Sequence, residues 1–244
     1  MSKLIKHLFS NRKIIFDRGK FDDWCVYVVE ENGKKRAPYD TEYFSDLKEI
    51  SKNIGANNAL ALELFDSGIY EARILCSKIY DPELITEEQM DNWVATFENW
   101  EICDSFCMGF FAKSKFAIPK AIEWSNSEDE FIKRAGFVIM ACYGFADKYA
   151  SNEVFEQFFP MIEREAKDHR VYVKKAVNWA LRNIGKRNID LNTSAILMAE
   201  KILTIDDKIA GSVCIHSAPK SIGTAVKSSL LFTLPPNTDD ASII

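Results

Sequence analysis

Glycine and proline are scarce in this chain of 244 residues, at ten and seven respectively. Sandwiches and barrels need more turn residues, so the shortage argues for a mainly helical protein. No apolar run approaches membrane-spanning length, and no N-terminal segment combines basic residues, a long apolar run and a small-residue cleavage site. The expectation is a cytoplasmic protein, or a nuclear one in a nucleated cell, with no membrane partner. The three histidines, His7, His169 and His216, are isolated, with no carboxylate at ligand spacing. Of the six cysteines, Cys103 and Cys107 lie one helical turn apart but lack the second pair that a zinc site requires. Cys76 and Cys142 sit inside apolar helical patterns, as buried free thiols in a reducing compartment do. No glycine-rich phosphate loop and no nucleophile elbow occurs. Neither a metal nor a cofactor is expected.

What is present is apolar mass and local charge. An apolar fraction of 47% with seventeen Phe is enough for a substantial core. The net charge of −5 counts against simple nonspecific affinity for nucleic acid. Between Lys167 and Arg187, however, seven cations face a single carboxylate, Asp168. An acidic protein with one basic stripe can still grip a phosphate backbone.

Helical periodicity runs with few breaks from about Asp40 to Asp206. The pattern predicts helices over 41–54, 59–65, 69–80, 86–98, 100–113, 118–124, 127–148, 153–168, 171–186 and 194–203. Thr86 to Gln89 and Ser127 to Glu130 read as capping boxes. Paired helices with short loops at this spacing predict an all-α fold, an α-solenoid of stacked antiparallel HEAT-like helix pairs. The expected divisions are an N-terminal extension over 1–39, a helical repeat domain over 40–210 and an irregular tail over 211–244. Cys25 to Val29, then Asn32-Gly33, then Lys34-Lys35-Arg36 predict a small β-hairpin in the extension, with its basic turn against backbone phosphate.

Three stretches carry the candidate chemistry: Asn99-Trp100-Glu101-Ile102-Cys103-Asp104, Phe131-Ile132-Lys133-Arg134-Ala135, and Lys174 to Arg182. Trp100 and Asp104 fall at i and i+4, on one helix face. Aspartate is a poor residue for mid-helix, so Asp104 calls for an explanation. One is a structural salt bridge, with Arg134 or Arg182 as partners; the other is chemistry. Arg134 precedes an apolar run, and there a cation needs an anionic partner or a surface to line; Lys133 is expected on a more exposed arc. Lys175, Trp179, Arg182 and Lys186 fall at i, i+4, i+7 and i+11, beside an apolar stripe of Val173, Val177, Ala180, Leu181 and Ile184. That row suits phosphates and a base. It equally suits a solvated face whose lysine stems cover a partly buried indole.

Together these stretches, with Leu60 to Leu75, resemble the AlkD-like DNA alkylation repair family of HEAT-repeat alkylpurine DNA glycosylases, over about Leu47 to Asn188. The resemblance implies that Asp104 is the catalytic carboxylate, that Trp100 and Trp179 are aromatic walls, and that Arg134 supports the site. It also implies DNA contacts from Lys133, Lys175, Arg182 and Lys186. The implied reaction is hydrolysis of the N-glycosidic bond of cationic N3- or N7-alkylated purines in double-stranded DNA, without a metal; a monomer is the expected state. The alternative class is a non-catalytic HEAT-repeat module that binds DNA or protein. A pure scaffold has no need of Asp104 together with both tryptophans.

Overall fold

The computed structural model describes residues 13–18, 25–31, 34–36 and 41–205, with side chains over 47–205. Two compact units meet in the chain between Lys115 and Phe116.

The first unit opens with strands β1 (Lys13–Arg18), β2 (Cys25–Glu31) and β3 (Lys34–Arg36), paired antiparallel in that order. Phe16 lies opposite Tyr27, and Val29 opposite Arg36. Strand β1 has no counterpart in the sequence expectation, which confined strands to residues near the Asn32-Gly33 turn. That turn itself lies outside the described residues, as does the expected tail over 211–244.

Helices α1 (Thr41–Ile54), α2 (Asn58–Asp66), α3 (Tyr70–Ile79), α4 (Glu87–Val94) and α5 (Trp100–Gly109) follow. Their starts are read from the caps. Asn57 accepts from Leu60 N, Thr86 from Gln89 N at 3.1 Å, and Asn99 from Ile102 N at 3.0 Å. Helix α3 packs against α1, α2 and α5. The core between them is aromatic: Trp93 stacks on Phe65 at 4.9 Å and meets Phe106 and Phe110 edge-on.

The second unit holds α6 (Ala117–Trp124), α7 (Glu130–Ala146), α8 (Asn152–Glu156), α9 (Phe159–Glu165), α10 (Val171–Gly185) and α11 (Ile189–Leu203). Helix α7 is its spine, packed against α6 and α10, and α11 lies on α8, α9 and α10. Three expectations are corrected here. The cap of α7 is Asp129, which accepts from Phe131 N and Ile132 N; Ser127 holds only Asp129 N. The single helix expected over 153–168 is two, because Pro160 starts a new helix after the break at Gln157 and Phe158. Helix α11 starts at Ile189 rather than Ser194, since Asn188 caps it through Leu191 N at 3.0 Å.

Helices α6 and α7 touch through Gly136. A Cβ there would stand 2.8 Å from both Ala121 O and Ser125 N. Both neighbours are backbone and have no rotamer to yield. Gly136→Ala is therefore expected to destabilise the protein by about 1–3 kcal/mol, read as a fall in melting temperature. An unchanged melting temperature would show that the two helices part at no cost.

Candidate functional site

Helix α5 begins at Trp100, and its buried arc is set by Ile102, Cys103, Phe106 and Cys107, all at 0% exposure. That packing turns Trp100, Glu101, Asp104 and Ser105 onto a half-buried arc. The indoles divide accordingly: Trp93 and Trp124 are core residues at 3% exposure, whereas Trp100 and Trp179 are half-buried. Core packing accounts for the first two; the second two keep part of their surface in solvent.

Beside Asp104 stands a group that the motif does not mark. The Tyr70 hydroxyl, from α3, donates to Glu101 Oε2 at 2.6 Å and lies 3.3 Å from Asn99 Oδ1. One proton serves one acceptor, and the shorter contact is to the carboxylate. Burial pushes the Glu101 carboxyl above its usual range. The Tyr70 hydrogen bond and the Lys78 charge oppose that rise, and the Asp104 charge adds to it. Trp100, Glu101 and Asp104 thus place an aromatic face and two interacting carboxylates on one turn of helix.

In the second unit α10 carries the basic row. Val173, Val177, Ala180, Leu181 and Ile184 are at most 1% exposed, so the apolar stripe faces the core as expected. Lys175 and Lys186 are exposed, and Trp179 and Arg182 are half-buried. The Arg182 Nε is buried and finds no acceptor among the described residues.

Two sequence expectations are corrected. Lys133 does not lie on an exposed arc: it is 5% exposed, with Nζ at 2.7 Å from Glu165 Oε2 and 3.6 Å from Asp168 Oδ2. Arg134 is likewise 5% exposed, and its Nη1 donates to the Tyr172 carbonyl at 2.7 Å, tying α7 to the first turn of α10. The reason is position. Both stand in the first turn and a half of α7, the helix most enclosed by its neighbours, so a long cation there bends to the nearest acceptor. Asp168 also binds Arg170. Burial alone would raise the Asp168 carboxyl, but the Arg170 hydrogen bonds and the Arg170 and Lys133 charges outweigh it, and the net shift is downward.

Glu101, Tyr70 and the Glu165–Asp168 pair were missed in the sequence. Glu101 sits three residues before Asp104, a spacing that could have been noticed. Tyr70 is 31 positions away and Glu165 is 32 from Lys133, and no local pattern reveals such partners. Among the described residues, no group of three or more His, Cys, Asp or Glu could hold a metal ion. None of the described helices is long and apolar enough to cross a membrane.

Packed helix pairs, with an indole and a carboxylate on one half-buried arc of α5 and a cationic row around a half-buried indole on α10, define a helical protein. The sequence model of the DNA alkylation repair enzyme family matches residues 37–204, and the chain belongs to that family. Among solved structures it is similar to one of a family of proteins related to the HEAT-like repeat DNA glycosylases with affinity for branched DNA structures. The identity is 24% and the TM-score 0.57, over 64% of this chain and 68% of that one. That likeness establishes a HEAT-like repeat fold. No curated protein matches the chain in sequence.

Proposed function

We propose that the protein is a DNA glycosylase that hydrolyses the N-glycosidic bond of cationic N3- or N7-alkylated purines, leaving an abasic site. The observation that carries this reading is the half-buried arc of α5, where Trp100 and Asp104 stand side by side in a chain of the DNA alkylation repair family. A positively charged base is already a good leaving group, so the reaction needs no strong general acid. It needs stabilisation of the electron-poor sugar, which the Asp104 carboxylate supplies electrostatically while orienting a water. Trp100 offers an indole face to the cationic nucleotide, and Trp179 an aromatic face to DNA. Lys175, Arg182 and Lys186 hold backbone phosphates. Arg134, bound to the Tyr172 carbonyl, acts as a positioning residue that fixes α10 and hence Trp179. Incubating the purified protein with methylated double-stranded DNA should release alkylated purine; the absence of released base would remove the reading.

The second reading is a binding module without catalysis, favoured by the branched-DNA affinity of the structural neighbour. It predicts DNA binding with no release of alkylated purine by the wild type or by Asp104→Asn.

Both readings share the α10 row. Removing one cation from a phosphate should lower the slope of log affinity against log salt by about one unit. Lys175→Ala with Lys186→Ala is therefore expected to weaken binding and reduce the slope by about two. Unchanged affinity and slope would make the row a solvated face.

A further inference from the structure

At the far end of the α10 row the second unit contains a cavity of about 470 Å³, within the size range of small-ligand sites. Its lining includes Lys186, the last member of the row, together with Phe145, Lys148, Phe155, Asn183 and Arg187. Among the described residues no aspartate or glutamate lines it, so its charge is of one sign.

The rim is built as a display. Phe145, at the end of α7, is 72% exposed, and Tyr149 in the following loop is 98% exposed. A loop bearing such rings would ordinarily fold them inward or move freely; this one is pinned. Arg187 donates to Gly144 O at 3.1 Å, Lys148 O at 2.9 Å and Ala150 O at 2.7 Å, while its guanidinium lies 4.4 Å from the Phe155 ring centroid. Asp147 Oδ1 accepts from Tyr149 N and Ala150 N at 2.9 and 3.0 Å, which turns that carboxylate into the loop. Asn183 caps the Ala141 carbonyl at 3.0 Å. The Ala141 and Gly144 carbonyls near the end of α7 are thereby engaged, and Lys148 and Lys186 remain exposed. Among the described residues neither lysine is paired with a carboxylate.

We propose that this cavity is a second DNA subsite, taking an unpaired nucleotide at a strand end or branch, with the base against Phe145 and the phosphates against Lys148 and Lys186. Exposed aromatic rings beside cations are the arrangement by which single strands are held, because every base has a face to stack. A duplex offers no free base face at its side, so the subsite discriminates between paired and unpaired DNA. It extends the DNA-binding reading of α10 and rests on it.

The test is binding of the full-length protein to two labelled DNAs, followed by fluorescence anisotropy. One is a blunt duplex; the other is the same duplex with a short single-stranded thymidine tail. Wild type is expected to bind the tailed DNA about tenfold more tightly, the order of one stacked base. Phe145→Ala and Lys148→Ala should each lose most of that preference and keep the blunt-duplex affinity. Phe145 is exposed, so its truncation leaves the core packing intact. Equal affinity of wild type for both DNAs, or a preference that survives Phe145→Ala, overturns the subsite and leaves the rings to a protein partner. With duplex binding and the salt slope intact, that failure leaves the α10 reading standing. Binding to neither DNA overturns both.

Discussion

Asp104→Asn is expected to slow release of alkylated purines by about 10²–10³-fold, the usual cost of removing one electrostatic stabiliser of a transition state. The substitution keeps the shape of the side chain and removes the negative charge that, in the proposed reaction, faces the developing oxocarbenium ion. Asp104 stands on the half-buried arc of α5, outside the Ile102, Cys103, Phe106 and Cys107 core, so the amide should not disturb folding. Affinity for undamaged DNA should hold or rise slightly, because a charge that repels phosphate is gone. Glu101 makes the experiment sharper. Its carboxylate is one turn away, is held by Tyr70, and is raised by burial and by the Asp104 charge itself. Removing that charge should let the Glu101 pKa fall, observable by carboxyl titration in an isotope-labelled protein. Wild-type excision by Asp104→Asn would end the catalytic assignment. Excision by neither protein would favour the binding module.

Elements whose signals are local were legible in the sequence. The periodicity and stop signals of α1, the Thr86 cap of α4, and the apolar stripe of α10 all rest on residues within a few positions of one another. Errors arose where two local signals competed. Ser127 and Asp129 both suit an N-cap, and the chain selects Asp129, whose carboxylate reaches two backbone N–H groups. In the candidate site, the arc carrying Trp100 and Asp104 followed from helical spacing, but the surroundings of Lys133 and Arg134 did not. A hydropathy pattern shows that a cation lies beside an apolar run. It does not show that Glu165, Asp168 and the Tyr172 carbonyl come from later in the chain to receive it.

Replacing Lys133 by methionine tests which role that lysine has. As a core cation it neutralises two carboxylates whose side chains are 12% and 7% exposed, Glu165 and Asp168. Breaking such a buried pair by removing one partner costs about 3–5 kcal/mol. The expected loss is near the lower end, about 3 kcal/mol, because Glu165 keeps Arg164 at 2.6 Å and Asp168 keeps Arg170. The exposed counterpart Lys175→Met should change the melting temperature little. The acid side of the stability profile should respond too. Asp168 has a depressed pKa, so its contribution is complete above the ordinary carboxylate range and fades as pH falls through the depressed value. Lys133→Met removes one of the charges that depress it, so the Asp168 contribution should be smaller and its loss on acidification complete at a higher pH than in the wild type. A phosphate-binding Lys133 predicts the opposite set of results: unchanged melting, an unchanged acid limb, and a DNA salt slope lower by about one unit. Observation of that set would return Lys133 to the DNA surface; loss of stability with an intact salt slope would fix it as the cation that joins α7 to α9 and the Asp168 turn.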